Sequence, residues 1–234
     1  MHSAFETAAG RRRFYLDVGL RKRPMGSGSN METLMQSERE KLFIDMESLF
    51  GDIPAAVVGG VATRAYSPER KTKDIDVLVD HARYGDAVAG LPPLGWRNDG
   101  ELYFPNSLLG LYGSAWLKDG QKLDVLATDQ VWGEEALSQK AYDQTGLRVI
   151  GLPFLVLMKI DSARGIDQGD LTRMLGLLDE AEVERVVDVV ARHCRDPHGA
   201  EDVRQYAQLG KLEYWTPKNG ARNVVSTPRA TASA

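Results

Sequence analysis

Two aspartates, Asp74 and Asp76, open the apolar run Asp74-Ile-Asp-Val-Leu-Val79. Side chains alternate between faces along an extended strand, so both carboxylates share one face while Ile75 and Val77 point into a core. Like charges that close together repel and resist ionisation unless a cation lies between them, and the economical reading is a divalent-metal site. A third acid, Asp124 in Lys122-Leu-Asp-Val-Leu126, stands in the same alternating context and joins the pair if the two strands are neighbours. Oxygen-only ligation, with no histidine or cysteine nearby, suits Mg2+ or Mn2+ and not zinc. An isolated Asp-x-Asp is more simply a solvated strand edge; the residues upstream of it argue for the metal.

Those residues are Gly59-Gly60, which follow the buried run Ala55-Ala-Val-Val58 and precede a short helical segment, Val61–Tyr66. Paired glycines let the backbone turn sharply and bring its N–H groups close to an anion at a helix start, which makes a seat for phosphate. The pattern is neither a P-loop nor a dinucleotide fingerprint. Arg64, Arg70, Lys71 and Lys73 border the acids and are candidates for contact with a polyphosphate or an acceptor, against the plainer reading of a solvated charged loop. His81, His193 and His198 lack metal-ligand spacing, and Cys194 has no visible partner base, so none is assigned a role.

The elements that must carry these residues follow from periodicity. Apolar residues at three- and four-residue spacing predict a helix over 31–50, broken by Gly51-Asp-Ile-Pro54. Strands are expected over 55–58 and 75–79, a helix over 81–90 closed by Pro92-Pro93, and one or two strands within 101–117. Asp119-Gly120 is a hairpin turn signal, and the strand after it, 122–127, bears Asp124. From residue 130 the spacing turns helical, over 131–142, 153–165, 167–178, 181–193 and 199–209. The first half therefore reads as α+β and the second as helical. Residues 1–30, ending in Met25-Gly-Ser-Gly-Ser-Asn30, are expected to be a disordered lead-in, and 216–234 a disordered tail. The α+β domain then spans 31–129 and the helical part 130–215.

Gly59-Gly60, a spacer of thirteen residues, Asp74-Ile-Asp76 between apolar neighbours and a strand-borne Asp124 together resemble the signature of the polymerase-beta-like nucleotidyltransferase superfamily. The stretch Lys159-Ile-Asp-Ser-Ala-Arg164-Gly-Ile-Asp167-Gln-Gly-Asp170 is similar to the Lys…Ala…Arg…Asp-x-x-Asp helix of its AbiEii-type branch, the toxins of type IV toxin-antitoxin systems. The resemblance implies a nucleotidyltransferase-fold mixed β-sheet with flanking helices plus a C-terminal helical part. It implies transfer of a nucleoside monophosphate from a nucleoside triphosphate to an acceptor: a tRNA 3′ end, a protein hydroxyl or a small molecule such as an aminoglycoside. Asp74 and Asp76 would hold metal ions bridging the phosphates, and Asp124 a second metal while helping to deprotonate the acceptor. Gly59 and Gly60 would meet the triphosphate through backbone N–H groups, and Lys159 would neutralise phosphate charge. Gly60 stands where a serine is common, and Thr63 and Arg64 are the residues placed to compensate. Asp167 and Asp170 are further candidates, with a helix cap as their structural alternative; a snorkelling lysine is the alternative for Lys159. An antitoxin protein is the partner a toxin role implies. A module that binds nucleotide or a protein partner without catalysis is the competing reading, kept alive by Gly60 and the length of the spacer.

Composition bounds these readings. The 234 residues carry 29 basic and 33 acidic groups. Both ends are basic, which leaves 20 basic and 31 acidic residues between positions 24 and 215 and argues against tight, sequence-independent binding of a nucleic-acid duplex. The single cysteine excludes an internal disulfide and multi-cysteine metal sites, and fits a reducing compartment, with the cytoplasm expected. No apolar run is long enough to span a membrane.

Overall fold

The computed structural model describes residues 44–67, 72, 74–143 and 145–214. The expected lead-in, the tail from 216, residues 31–43 of the first predicted helix and the candidates Arg70, Lys71 and Lys73 lie outside the described residues.

Helix α1 is Met46–Phe50, and its start is set by Asp45, whose Oδ1 accepts the Ser48 N–H at 3.1 Å. The extended Asp45 N-cap starts the helix there, so among the described residues the element predicted over 31–50 begins at Met46. Strand β1 (Ala55–Val58) is buried at all four positions and runs directly into α2 (Gly59–Ala62), extended by a single 3-10 turn at Thr63–Ala65. Strand β2 is Asp74–Val79 and α3 is Tyr84–Ala89, entered through a 3-10 turn at His81–Arg83. Strands β3 (Arg97–Leu102), β4 (Leu111–Lys118) and β5 (Gln121–Thr128) follow. Both residues of the β4–β5 turn have positive φ, Asp119 at 50° and Gly120 at 80°. That conformation gives a two-residue hairpin the twist its strands need, and the Asp-Gly pair supplies it at little cost.

The seven strands form one mixed sheet in the order β3-β4-β5-β2-β1-β7-β6. Two of them lie in the half that reads as helical. Helix α4 (Val131–Ser138) stops four residues short of the predicted end, and β6 (Ala141–Tyr142) and β7 (Arg148–Val149) add to the sheet beyond β1. Two-residue strands carry no alternation to be read, and what selects them is pairing: Val149 lies opposite Val57, and the Ile150 N–H donates to the Val57 carbonyl at 2.9 Å. The remainder is helical: α5 (Leu152–Ser162), α6 (Gly165–Gly176), α7 (Glu180–His193) and α8 (Gly199–Tyr214).

Helix α5 is apolar around most of its circumference, with Phe154, Leu155, Val156, Leu157 and Ile160 all without solvent contact. Such a helix must be covered on every side; α2, α6 and α7 pack on it. The α+β half with its mixed sheet and the following helices are thus joined through one buried core. No helix among the described residues is long and apolar enough to cross a membrane.

Candidate active site

The central strands bring the three acids together. Strand β2 pairs with β5 in parallel, and in that register Asp76 lies opposite Asp124 and Asp74 opposite Lys122. Alternation sinks Ile75, Val77, Leu123 and Val125 into the core and leaves the carboxylates on the other face. One carboxylate oxygen from each of Asp74, Asp76 and Asp124 lies within 4.8 Å of the others. Asp74 also accepts a hydrogen bond from the Thr72 hydroxyl at 3.1 Å.

The charges in this cluster are poorly compensated. Burial, and then the neighbouring Asp74 and Asp124, push the Asp76 carboxyl up to about 7, against a smaller downward pull from Arg164 and Lys159. Burial likewise raises Asp124, with Lys122 acting against it. Asp124 Oδ1 is buried without a hydrogen-bond partner, and the nearest cation, Lys122 Nζ, stands at 3.7 Å, too long for a hydrogen bond. A buried oxygen left in that state costs free energy unless something completes it. Three converging hard oxygens, one of them orphaned, fit a divalent cation of the Mg2+ or Mn2+ class.

Gly59 is placed against this cluster by necessity. Its φ is +62°, and a Cβ there would land on the Asp76 carboxylate. Only glycine lets β1 turn into α2 while Asp76 from the next strand occupies the space a side chain would take. Gly59→Ala is expected to destabilise the fold by about 2–3 kcal/mol, from the left-handed backbone and the displaced carboxylate. It should also weaken Mn2+ binding at least about tenfold by moving one ligand. Denaturant titration and Mn2+ titration of the same variant check both.

Gly60 is the second residue of α2 and is buried. The Thr63 hydroxyl donates to the Gly60 carbonyl at 2.6 Å and is itself 1% exposed, so it braces the bend rather than facing open space. Arg64 follows in the same 3-10 turn, half-buried.

Lys159, Asp167 and Asp170 converge, in an arrangement that differs from each of the local readings. Helix α6 begins after Arg164, whose side chain makes no capping bond, so Asp167 is not the cap. Instead Lys159 Nζ donates to Asp167 Oδ1 at 2.9 Å and to Asp170 Oδ2 at 2.7 Å, and all three side chains are at most 3% exposed. Lys159 does not snorkel, and its ammonium is committed to two buried carboxylates. Asp167 also accepts from the Ser162 hydroxyl and from Arg164 Nε, each at 2.7 Å. Lys159, Arg164 and Ser162 overcome the effect of burial and hold the Asp167 carboxyl below its ordinary value.

Arg164, part of the helix motif, is a further residue that the structure sets near the acids. Ala163 adopts the left-handed conformation, φ 49°, closes α5 by donating its N–H to the Lys159 carbonyl, and turns the chain sharply into α6. Arg164 therefore lies at the corner between α5 and α6, its Nε fixed by Asp167 and its side chain 68% exposed. Asp167, and then Asp76 and Asp74, raise its guanidinium, which places it electrostatically beside the acidic cluster. The signal available in sequence was Arg-x-x-Asp at a helix start, a spacing that lets the acid orient the arginine.

No family model matches the chain, and no curated protein matches it. Among solved structures, the crystal structure of ANT(2'')-Ia in complex with adenylyl-2''-tobramycin is similar with a TM-score of 0.35 at 17% identity, over 70% of this chain and 90% of that one. The solution structure of the antibiotic-resistance factor ANT(2'')-Ia is similar with a TM-score of 0.37 at 18% identity, over 70% and 84%. At that level of likeness the reading of the site rests on its own geometry.

Proposed function

We propose that the protein is a metal-dependent nucleotidyltransferase of the polymerase-beta-like kind, moving a nucleoside monophosphate from a nucleoside triphosphate to an acceptor hydroxyl. The observation that carries this is the meeting of Asp74, Asp76 and Asp124 within 4.8 Å beside a bend that only glycine can make. A divalent cation held by these three carboxylates would supply charge neutralisation along the phosphates and orientation of the alpha phosphorus.

The chain's own residues do the rest. The α2 start at Gly59-Gly60 would present backbone N–H groups to the triphosphate, and the missing side chain at Gly59 is what lets the Asp76 carboxylate sit beside that bend. Arg164, whose Nε and, at 3.5 Å, Nη2 donate to Asp167, offers its other terminal nitrogen to phosphate oxygens. Lys159 acts one step removed: it neutralises Asp167 and Asp170 and so holds the corner that aims Arg164. Asp124, whose carboxyl is raised by burial, is the member of the triad assigned to help take the proton of the acceptor hydroxyl. The acceptor oxygen bonds to the alpha phosphorus as the bond to the leaving pyrophosphate breaks, and the nucleoside monophosphate remains on the acceptor.

The acceptor is a tRNA end, a protein hydroxyl or a small molecule. The AbiEii-type toxin role, with an antitoxin partner, belongs to the same reading; the meeting of Lys159, Arg164, Asp167 and Asp170 in one cluster supports it, since these are the residues of the helix motif. A second reading, a fold that binds nucleotide without transferring it, is favoured by the engagement of Thr63 and Lys159 within the protein. Incubation of the protein with labelled nucleoside triphosphates and cell extract separates them. Label appearing on a macromolecule or metabolite, dependent on Mg2+ and lost in Asp74→Ala, is expected. Metal-dependent nucleotide binding without any labelled product would select the second reading.

A further inference from the structure

The two lysines near the acids are held in opposite ways. Lys159 is 3% exposed and makes two short bonds, 2.9 and 2.7 Å, so it is fixed. Lys122 is 40% exposed, reaches Asp124 Oδ1 only at 3.7 Å, and hydrogen-bonds to neither acid. Its strand position nevertheless aims it at the cluster. Lys122 is two residues before Asp124 on β5, hence on the same face, and it pairs in register with Asp74 on β2; on its other side lies Leu117 of β4, which offers no charge. The ammonium is thus drawn toward Asp74 and Asp124 by charge alone, from a flexible four-carbon stem. An ion pair that long and that exposed is weak and easily exchanged.

We propose that Lys122 is a displaceable counter-ion of the acidic triad: its ammonium partly neutralises Asp124 and Asp74 when no divalent cation is bound, and turns outward to the phosphates of the triphosphate when one is. The inference deepens the nucleotidyltransferase reading and rests on it. A doubly charged ion among the three carboxylates satisfies the oxygens that attract the lysine and repels its ammonium, while the incoming polyphosphate supplies a new partner on the open side. Lys122 therefore competes with the metal and assists the nucleotide, two effects of opposite sign that a purely structural lysine would not produce.

Electron paramagnetic resonance titration of Mn2+ into the full chain without nucleotide tests the first effect, and the triphosphate KM tests the second. Lys122→Met is expected to bind Mn2+ about three- to fivefold tighter than the wild type, the scale of one exposed ion pair lost. Its triphosphate KM should rise about tenfold, with kcat changed much less. Lys122→Arg, which keeps the charge, should stay within about twofold of the wild type in Mn2+ affinity. Lys122→Met that binds Mn2+ no more tightly than the wild type overturns the assignment while leaving the metal site standing. A wild-type chain that binds no Mn2+ overturns the metal-site reading itself, and the assignment with it.

Discussion

Asp76→Asn is expected to abolish nucleotidyl transfer while making the metal-free protein more stable. The loss should reach about a thousandfold or more, since a metal-ion contribution of several kcal/mol to the barrier disappears with a central ligand. The gain in stability has the opposite origin. The Asp76 carboxyl, raised to about 7 by burial and by its two acidic neighbours, binds in the folded state a proton that the unfolded chain has released. Its contribution is therefore favourable at low pH and is lost as pH rises from about 4 through about 7. Above that window the ionised carboxylate opposes folding by on the order of 2 kcal/mol, reduced from the full linkage value because Asp76 keeps some solvent contact. Asparagine has nearly the same shape and no charge. In chelator at pH 8 the variant should melt several degrees above the wild type, with the difference shrinking toward pH 5. Added Mn2+ should raise the wild-type melting temperature more at pH 8 than at pH 5, because at the lower pH it must displace a proton, and should leave Asp76→Asn nearly unmoved. Thermal melts at the two pH values, with and without Mn2+, check all of these.

Lys159→Met carries the second large effect, and its sign separates two roles for one residue. Removing the ammonium takes away the charge that both Asp167 and Asp170 share, and these two carboxylates have no solvent contact; Arg164 stays paired with Asp167 and Arg173 lies 3.6 Å from Asp170. Breaking a buried pair in this way costs about 3–5 kcal/mol, and the melting temperature should fall by about 10 °C. Transfer activity should fall too, through loss of the corner that aims Arg164. Were the ammonium a direct phosphate ligand with no structural part, Lys159→Met would raise the triphosphate KM and leave the melting temperature alone. Guanidinium titration of the variant decides between them.

The surroundings of Lys159 are only partly legible in sequence. Its place on an apolar helix was legible from spacing, and so was the acid pair at the start of the next one. Their contact depends on the sharp reversal at Ala163, a left-handed residue with an ordinary side chain and therefore no local signal. The pair Asp74 and Asp76 was legible because alternation along a strand is strictly local. Asp124 was legible only conditionally, since its meeting with Asp76 needs parallel pairing between strands nearly fifty residues apart, which no spacing dictates. The backbone freedom of Gly59 is legible from its pairing with Gly60, whereas its closest requirement is room for the Asp76 carboxylate, a contact between the start of α2 and β2. Strands β6 and β7 were invisible for the same reason: at two residues each, only their neighbours define them.

The most direct test is an anomalous scattering map from crystals of the full chain grown with Mn2+ and a non-hydrolysable nucleoside triphosphate analogue. A peak enclosed by the carboxylates of Asp74, Asp76 and Asp124, with phosphate density between it and the Gly59 bend, is the predicted result. Manganese bound elsewhere, or a triad closed by Lys122 with the nucleotide remote from it, would contradict the account.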